Sequence, residues 1–390
     1  MRKKYLLGCL ILVLIGSCVE PFNPDIPNFQ NALVVEGQML EGKGGARVIL
    51  SRSFGFDETE PPYVKGATVV IRNDQGQEHR LTEWQDGHYR SDTNVWVGVP
   101  GLSYQLFLET PQGERVESAW EPLQASAQLE DIRPTFEMAL TGFDTLYGMK
   151  VYLDIASENQ DGRFYRWEFE ETWMFRVPFP TRGYWDTDIV DAVFVEPDSI
   201  PRTCFISEKS TDILLGDTEG LSEPRLENFP LHYITTEDDR LKLKYSMLIK
   251  QYTLSDETYN FWTQLKEVNQ DLGTLFDPIP SELAGNLTNL TNADLPVLGY
   301  FSADGYTEQR IFIDRIDFTS EIVVPTGYET CTINSFFSKD EMQRYVLAGN
   351  NWVGAITDFF GNIVGYTGAT KSCSDCRTRG ATITKPKFWP

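Results

Sequence analysis

Cysteines are the residues of this sequence best suited to chemistry, and four of them lie far from the N-terminus: Cys204, Cys331, Cys373 and Cys376. The Cys373–Cys376 spacing also occurs in redox-active pairs and zinc sites, which both use thiolates two residues apart. A redox pair should lie between a strand and a helix, and a zinc site of this kind needs a second pair. The Ser-, Gly- and Arg-rich tail offers neither, so two disulfides are the favoured interpretation for an exported chain.

The pairing of these cysteines cannot be read from their order, because four cysteines allow three connectivities. We expect at least one bond from the Cys373/Cys376 pair to Cys204 or Cys331, since the pair lies in the tail and the other two lie in separate segments. Closing such long loops is worth roughly 3–5 kcal/mol each in the chain-entropy model.

Histidines and carboxylates are the next candidates for catalysis or metal binding. His79, His88 and His232 are too far apart for the helical zinc motif, in which two histidines lie four residues apart. The segment from Asp154 to Asp161 has oxygen ligands for Ca²⁺ but does not fit the 12-residue loop pattern. With 57 Asp and Glu residues, close acidic pairs arise by chance. The sequence therefore predicts no enzyme, no metal and no cofactor.

One carboxylate stands out within a long strand predicted from Phe164 to Val177. The aromatic face of this strand is formed by Tyr165, Trp167, Phe169, Trp173 and Phe175, and the polar face by Arg166, Glu168, Glu170, Thr172 and Arg176. Glu171 falls on the aromatic face. A lone buried carboxylate can mark a site, but a β-bulge that turns Glu171 outward, or an arginine partner such as Arg163, is the favoured interpretation.

The N-terminus has the features of an export signal. A basic start, Arg2 to Lys4, precedes an apolar run from Tyr5 to Ile15, which is too short to span a bilayer. The following Ile15-Gly16-Ser17-Cys18 resembles the lipobox of bacterial lipoproteins, in which the thiol forms a thioether to diacylglycerol. We therefore expect residues 1–17 to be a signal peptide and Cys18 to be lipidated.

The segment after Cys18 is predicted to be an extended tether over residues 18–30, because it holds Pro21, Pro24 and Pro27 and lacks an apolar period. Glu20 and Asp25 resemble the acidic residues that often follow the cysteine in surface-exposed lipoproteins of Bacteroidetes. The expected location is the outer membrane, with the body on its extracellular face.

Substitution of the lipidated residue tests the anchor directly. Cys18→Ser should release the protein from membranes, because stable anchoring requires acyl chains that the serine cannot carry. Membrane fractionation with a high-salt wash measures the effect. Retention of the variant in the outer-membrane fraction would show that something other than lipid holds the protein there.

The charge balance limits the partners. The chain of 390 residues has a formal net charge of −23, with 34 basic and 57 acidic residues. Such an acidic surface repels the phosphate backbone of nucleic acids, and the sequence has no basic patch with interleaved aromatic residues. Nucleic acid is therefore excluded as a partner.

Two β-rich domains are predicted after the tether. Residues 31–125 contain short β-branched runs separated by turns such as Asn73 to Gly76 and Asp86-Gly87, a pattern typical of a sandwich. This stretch resembles the Ig-like or carboxypeptidase-regulatory-like modules of bacterial surfaces. Residues 126–390 are predicted to form a larger β-rich domain with a disulfide-tied tail.

One helix is expected near residues 255–272. Ser255 is a suitable N-cap, Asp256 and Glu257 suit the positive end of the helix, and Gly273 ends it. Its apolar residues recur at helical spacing and are interpreted as core packing: Phe261, Trp262, Leu265, Val268 and Leu272. A late hairpin is predicted from Trp352 to Tyr366, with its turn at Phe360-Gly361-Asn362.

The whole chain resembles a lipoprotein family of Bacteroidetes called domain of unknown function 4249. The resemblance rests on the lipobox and on these segments: Leu33 to Gly37, Tyr165 to Glu168, Lys244 to Ser246, Phe261-Trp262, Leu275 to Ser281, Val297 to Phe301, Cys373 to Arg377 and Lys385 to Trp389. Members are similar in being encoded beside TonB-dependent outer-membrane transporters. The resemblance implies an accessory surface protein and transfers no catalytic residues.

The expected function is therefore that of a lipid-anchored accessory protein, without enzymatic activity, that docks on a TonB-dependent β-barrel transporter and helps to capture its substrate. The loop from Phe276 to Pro280 is one candidate for the contact. Two alternatives stay open: a structural or adhesive surface protein, or a subunit of an outer-membrane assembly complex; and a hydrolase with an unrecognised carboxylate site. A broad apolar patch would favour docking, and a deep acid-lined cleft would favour the hydrolase.

Overall fold

The computed structural model describes residues 31–42, 44–54, 60–141, 144–157, 162–195, 200–271, 285–317 and 322–390. Strands make up 52% of the described residues and helices 10%. The all-β, sandwich-like fold expected from the sequence is confirmed. The signal peptide, Cys18, the tether and the Phe276 to Pro280 loop lie outside the described residues.

The described residues form 23 strands and three α-helices. The strands are β1 Leu33–Leu40, β2 Gly45–Arg52, β3 Thr68–Asn73, β4 Glu78–Arg80, β5 Thr82–Gln85, β6 His88–Arg90, β7 Ser103–Glu109, β8 Arg115–Ser118, β9 Glu121–Pro122, β10 Gln128–Thr141, β11 Asp144–Ala156, β12 Phe164–Arg176, β13 Gly183–Asp186, β14 Asp191–Phe194, β15 Thr203–Lys209, β16 Leu214–Asp217, β17 Arg225–Thr235, β18 Lys244–Leu254, β19 Leu287–Asn289, β20 Val297–Asp314, β21 Asn334–Phe336, β22 Asn351–Thr357 and β23 Ile363–Ala369. The helices are α1 Asp256–Asp271, α2 Lys339–Leu347 and α3 Lys371–Ser374.

A nine-stranded sheet forms the centre of the molecule, in the order β15-β12-β18-β20-β1-β2-β6-β5, with β16 also beside β12. Strand β20 links its two halves. Its first half pairs in parallel with β1, from Leu33 opposite Val297 to Leu40 opposite Asp304. Its second half pairs antiparallel with β18 from Gly305 onward. One sheet therefore runs through both predicted domains, and the division near residue 125 stays a prediction.

Gly305 lies where β20 passes from one partner strand to the other. A Cβ atom at this position would lie 2.7 Å from the backbone nitrogen of Ser126 and 2.8 Å from the carbonyl carbon of Ala125. Only glycine permits the segment between the two halves of the chain to pass this close to the sheet.

Two hydrophobic cores are packed against the central sheet. The first lies between β1, β2 and the start of β20 on one side and the six-stranded sheet β19-β8-β7-β3-β4, with β9 beside β7, on the other. The second lies between β12, β18 and their neighbours and the three-stranded sheet β10-β11-β17. Side chains of alternating strand positions fill both cores, because successive residues of a strand point to opposite faces.

The C-terminal part adds a small sheet, β21-β23-β22, with α2 packed on it around Met342, Trp352 and Tyr366. Two disulfides fix this region: Cys204 bonds Cys376, and Cys331 bonds Cys373. Both cysteines of the tail pair are bonded to the two distant cysteines, so they form neither a redox pair with each other nor a zinc site. The hairpin predicted around Phe360-Gly361-Asn362 is confirmed as β22 and β23.

Helix α1 begins where the sequence predicted it. The Oγ of Ser255 accepts a hydrogen bond from the backbone N–H of Thr258 at 3.2 Å, which satisfies one of the free donors at the helix start. Asp256 and Glu257 occupy the first turn, where a negative charge interacts favourably with the helix dipole. The helix lies against β12 and β16, and this packing creates the cleft described next.

Candidate binding cleft under helix α1

A cleft of about 590 Å³ lies between α1 and the open face of the central sheet. This volume is within the range of small-molecule sites, about 300–1,000 Å³. Phe261, Trp262 and Leu265 line the helix side, and Tyr300 of β20 lines the sheet side. The rings of Phe261 and Tyr300 stack with 4.6 Å between their centroids. The cleft therefore has a firm aromatic wall.

Strand alternation places the polar groups of the cleft. In β1, Val35 and Met39 point into the first core, whereas Glu36 and Gln38 lie on the opposite face and line the cleft. Arg47 of β2 lies beside them. This alternation is visible in the sequence, but its meaning depends on α1, which covers the face that would otherwise meet solvent.

Arg166 is the most constrained of these polar side chains and is only 5% exposed. Its guanidinium lies between two aromatic rings, 4.3 Å from the centroid of Tyr252 and 4.2 Å from that of Trp262. Nη1 donates to Glu168 at 2.6 Å. The Nε of Arg166 is buried and has no hydrogen-bond partner among the described residues. A buried unpaired donor costs about 1–3 kcal/mol in stability, so a ligand that accepts a hydrogen bond from this N–H group would be favoured.

Glu168 connects Arg166 to the rest of the cleft. It accepts a hydrogen bond from the Tyr252 hydroxyl at 2.9 Å, and Arg47 lies 4.0 Å away. Burial alone would raise the pKa of Glu168, but the charge of Arg166 and its hydrogen bond outweigh this effect and lower the pKa. Glu168 is therefore ionised at neutral pH.

A second carboxyl lies deeper in the same network. The Nε of Arg47 donates to Gln38 at 3.0 Å, and the Nε2 of Gln38 donates to Oδ2 of Asp304 at 2.5 Å. Burial raises the pKa of Asp304, and the hydrogen bonds from Gln38 and Ser302 oppose that shift. The network thus continues from the open cleft into the interior.

Glu121 lies on the other side of the Phe261–Tyr300 pair, next to a second concavity of about 550 Å³. Its side chain is buried and accepts hydrogen bonds from Tyr300 at 2.8 Å and Asn286 at 2.6 Å. Burial raises its pKa to about 7, although both hydrogen bonds lower it. Glu121 thereby fixes the hydroxyl end of Tyr300, whose ring forms the cleft wall.

The structure gives Glu171 an arginine partner, as expected, but the partner is Arg240 and not Arg163. Nη1 of Arg240 lies 2.9 Å from Glu171, and the Tyr245 hydroxyl donates to it at 2.5 Å. Burial would raise the pKa of Glu171, but the hydrogen bond from Tyr245, the charge of Arg240 and the imidazole of His232, whose Nε2 lies 3.6 Å away, lower it overall. The pairing of β12 with both neighbours is continuous here, so the predicted β-bulge is absent.

The other sites considered from the sequence have structural explanations where they are described. Asp154 forms an ion pair with Arg133, and Asp161 lies outside the described residues. His79 stacks on Trp96, and His88 packs against Tyr63. Within the described part of the chain, no group of three His, Cys, Asp or Glu side chains is arranged to hold a metal ion.

Sequence reasoning missed Gln38, Arg47, Tyr252 and Asp304 as members of one site. It assigned the aromatic residues of α1 to core packing. Phe261 is buried and Trp262 packs against a small hydrophobic cluster, so this prediction is confirmed for both, but both residues also line the cleft. A signal was present in the polar residues that alternate through Leu33–Leu40, because one face of this strand is not apolar.

A second exposed feature lies at the turn between β22 and β23. Phe359 is 97% exposed and Phe360 is 85% exposed, and Ile363 and Val364 nearby are also exposed. The Asp358 carboxylate accepts hydrogen bonds from the backbone N–H groups of Phe360 and Asn362 at 2.9 and 2.8 Å. We call residues Asp358 to Val364 the aromatic tip.

Over the described ranges, no helix has the length and apolar character needed to cross a membrane.

Comparison with known proteins gives one family match. A family model described as "Domain of unknown function (DUF4249)" matches residues 19–310, about three quarters of the chain. No curated protein matches. A solved structure titled "Biofilm associated protein - BSP domain" is 6% identical over 76% of this chain and 61% of that chain, with a TM-score of 0.12. The chain thus spans about three fifths of that solved chain, and the similarity is too low to support an argument about fold or function.

Proposed function

We propose, for a chain that belongs to the DUF4249 family, the role of a lipid-anchored accessory protein of the outer membrane that docks on a TonB-dependent transporter and helps to capture its substrate. The lipobox motif at Cys18 supports the anchor. A lipid tether confines the body to the membrane surface, so that even a weak contact with a membrane partner becomes effectively intramolecular.

The observation that carries the docking proposal is the aromatic tip. Two adjacent phenylalanine rings that are almost fully exposed, on the turn of a hairpin, are unfavourable in water. Burying one such ring against a partner stabilises the complex by about 1.5–3 kcal/mol. Asp358 already satisfies two N–H groups of the turn, so a partner can cover the tip without leaving these donors unpaired.

The test is copurification of the tagged full-length protein in mild detergent. We expect a large β-barrel transporter in near-equal amount, and at least a tenfold lower recovery with the Phe359→Ser/Phe360→Ser double variant, because two buried rings would be lost. The turn residues that hold the hairpin are unchanged in this variant.

Leu140→Ser is the matched control, because Leu140 is 75% exposed at the turn end of another hairpin strand. It should leave recovery unchanged. Recovery of the lipoprotein alone, under conditions that preserve other such complexes, would favour the structural or adhesive alternative. Equal recovery with the double variant would place the contact elsewhere on the molecule.

A further inference from the structure

We infer that the cleft under α1 binds a neutral carbohydrate of one or two rings, held against Trp262 and hydrogen-bonded by the polar side chains of β1, β12 and β20. This inference rests on the capture part of the proposed function and gives its substrate class. It does not depend on the docking part, which concerns the aromatic tip on another part of the fold.

The cleft presents an apolar surface on one side and a polar surface on the other. Trp262 and Leu265 provide an apolar wall, and Gln38, Ser302 and Glu36 provide hydrogen-bonding groups on the opposite side. A sugar ring has the same division, because its C–H faces are apolar and its hydroxyl groups lie around its edge. Aromatic rings bind flat partners of this kind by stacking.

Arg166 lines the cleft, is buried and retains an unpaired donor among the described residues. The rings on either side fix its guanidinium, so it loses little conformational freedom on binding. A fully apolar ligand, such as an acyl chain, would offer no acceptor to this donor and would cover the polar side chains of the sheet without forming a hydrogen bond to any of them.

The charges around the cleft are balanced. Two arginines, Arg47 and Arg166, face two carboxylates, Glu36 and Glu168. Arg166 is already paired with Glu168 at 2.6 Å. A carboxylate or phosphate ligand would meet Glu36 and Glu168 as well as the net charge of −23, and a cationic ligand would meet the two arginines. A neutral polar ligand avoids both conflicts.

The experiment is a titration of the full-length protein against neutral sugars. A printed array of neutral mono- and disaccharides selects the probe, and maltose, cellobiose and lactose are then measured by calorimetry. The detergent should have a polyoxyethylene headgroup, because a maltoside headgroup is itself a sugar. Succinate and palmitate serve as anionic and apolar probes.

We expect binding of at least one neutral sugar, weakened at least tenfold by Trp262→Ala and by Leu265→Trp. The second variant fills the cleft and removes no polar group, so it keeps the test valid if Trp262→Ala fails to fold. The exposed Trp84, which lies on β5 away from the cleft, gives the control Trp84→Ala, with less than a twofold change.

Three results would overturn the inference: no neutral sugar bound by the wild-type protein, wild-type affinity for the sugar in both cleft variants, or binding of succinate or palmitate in preference to the sugar. The Phe359→Ser/Phe360→Ser variant separates this test from docking. It should bind sugar with wild-type affinity even where it no longer copurifies with a transporter.

Discussion

Replacing Cys204 and Cys376 together with alanine is expected to lower the free energy of unfolding by up to about 5 kcal/mol. The bond closes a loop with a sequence separation of 172, and the unfolded chain regains that conformational freedom when the bond is removed. Such a loss is a large fraction of the 5–15 kcal/mol that is typical of a folded protein. Both cysteines are fully buried, and alanine keeps their positions apolar.

The second disulfide provides the comparison, because Cys331 and Cys373 are separated by only 42 residues. Alanine at both positions should cost about 4 kcal/mol in the same model. Denaturant unfolding measures the two losses. Limited proteolysis should also detect release of the tail in the Cys204/Cys376 variant, since Thr382 pairs with Phe205 beside that bond. An unchanged unfolding midpoint with a protected tail would contradict the expectation.

Glu121→Gln is expected to stabilise the protein at pH 8 by up to about 3 kcal/mol, because it removes a buried carboxyl whose pKa is raised to about 7. Below about pH 4.5 this carboxyl is protonated in both the folded and the unfolded state. Between about pH 4.5 and 7 only the unfolded state releases the proton, so the stability of the wild-type protein falls as the pH rises. Above about pH 7 the carboxyl is ionised in both states, and the full destabilisation of the wild-type protein by the buried charge remains.

Glutamine suits this position because its amide can reproduce the existing contacts. Its oxygen can accept from Tyr300 and Asn286, and its NH₂ group can donate to Ser255, which lies 3.4 Å from the second oxygen of Glu121. Urea unfolding at pH 4 and pH 8 measures the effect, and the difference between variant and wild type should grow with pH. The exposed Glu109→Gln should change stability by less than about 0.5 kcal/mol. A pH-independent difference for Glu121→Gln would contradict the proposed burial effect.

Local features of this protein follow from its sequence because they depend on neighbouring residues. The N-cap at Ser255 predicts the start of α1, and the turn residues after Phe360 predict the late hairpin. The even number of cysteines in the body predicts two disulfides. The alternation in β12 identifies its buried aromatic face and marks Glu171 as an exception that needs a partner.

The tertiary structure decided which distant residues meet. Hydrophobic alternation defines the faces of a strand but not its neighbour, so the parallel pairing of β1 with β20 could not be read from either segment. The partner of Glu171 is Arg240 because β12 lies beside β18, and Arg240 comes just before that strand in the chain. An arginine nearer in sequence, Arg163, lies at the other end of β12.

The cleft likewise combines features that the sequence determines with contacts that only the tertiary structure creates. The sequence determined that Arg166 and Glu168 share the polar face of β12 and that Trp262 lies on a helix. Only the packing of α1 over that face places the ring of Trp262 4.2 Å from the guanidinium of Arg166 and encloses a polar network with an aromatic wall. Side-chain periodicity is a local property of each element, whereas the position of one element against another depends on contacts along the whole chain.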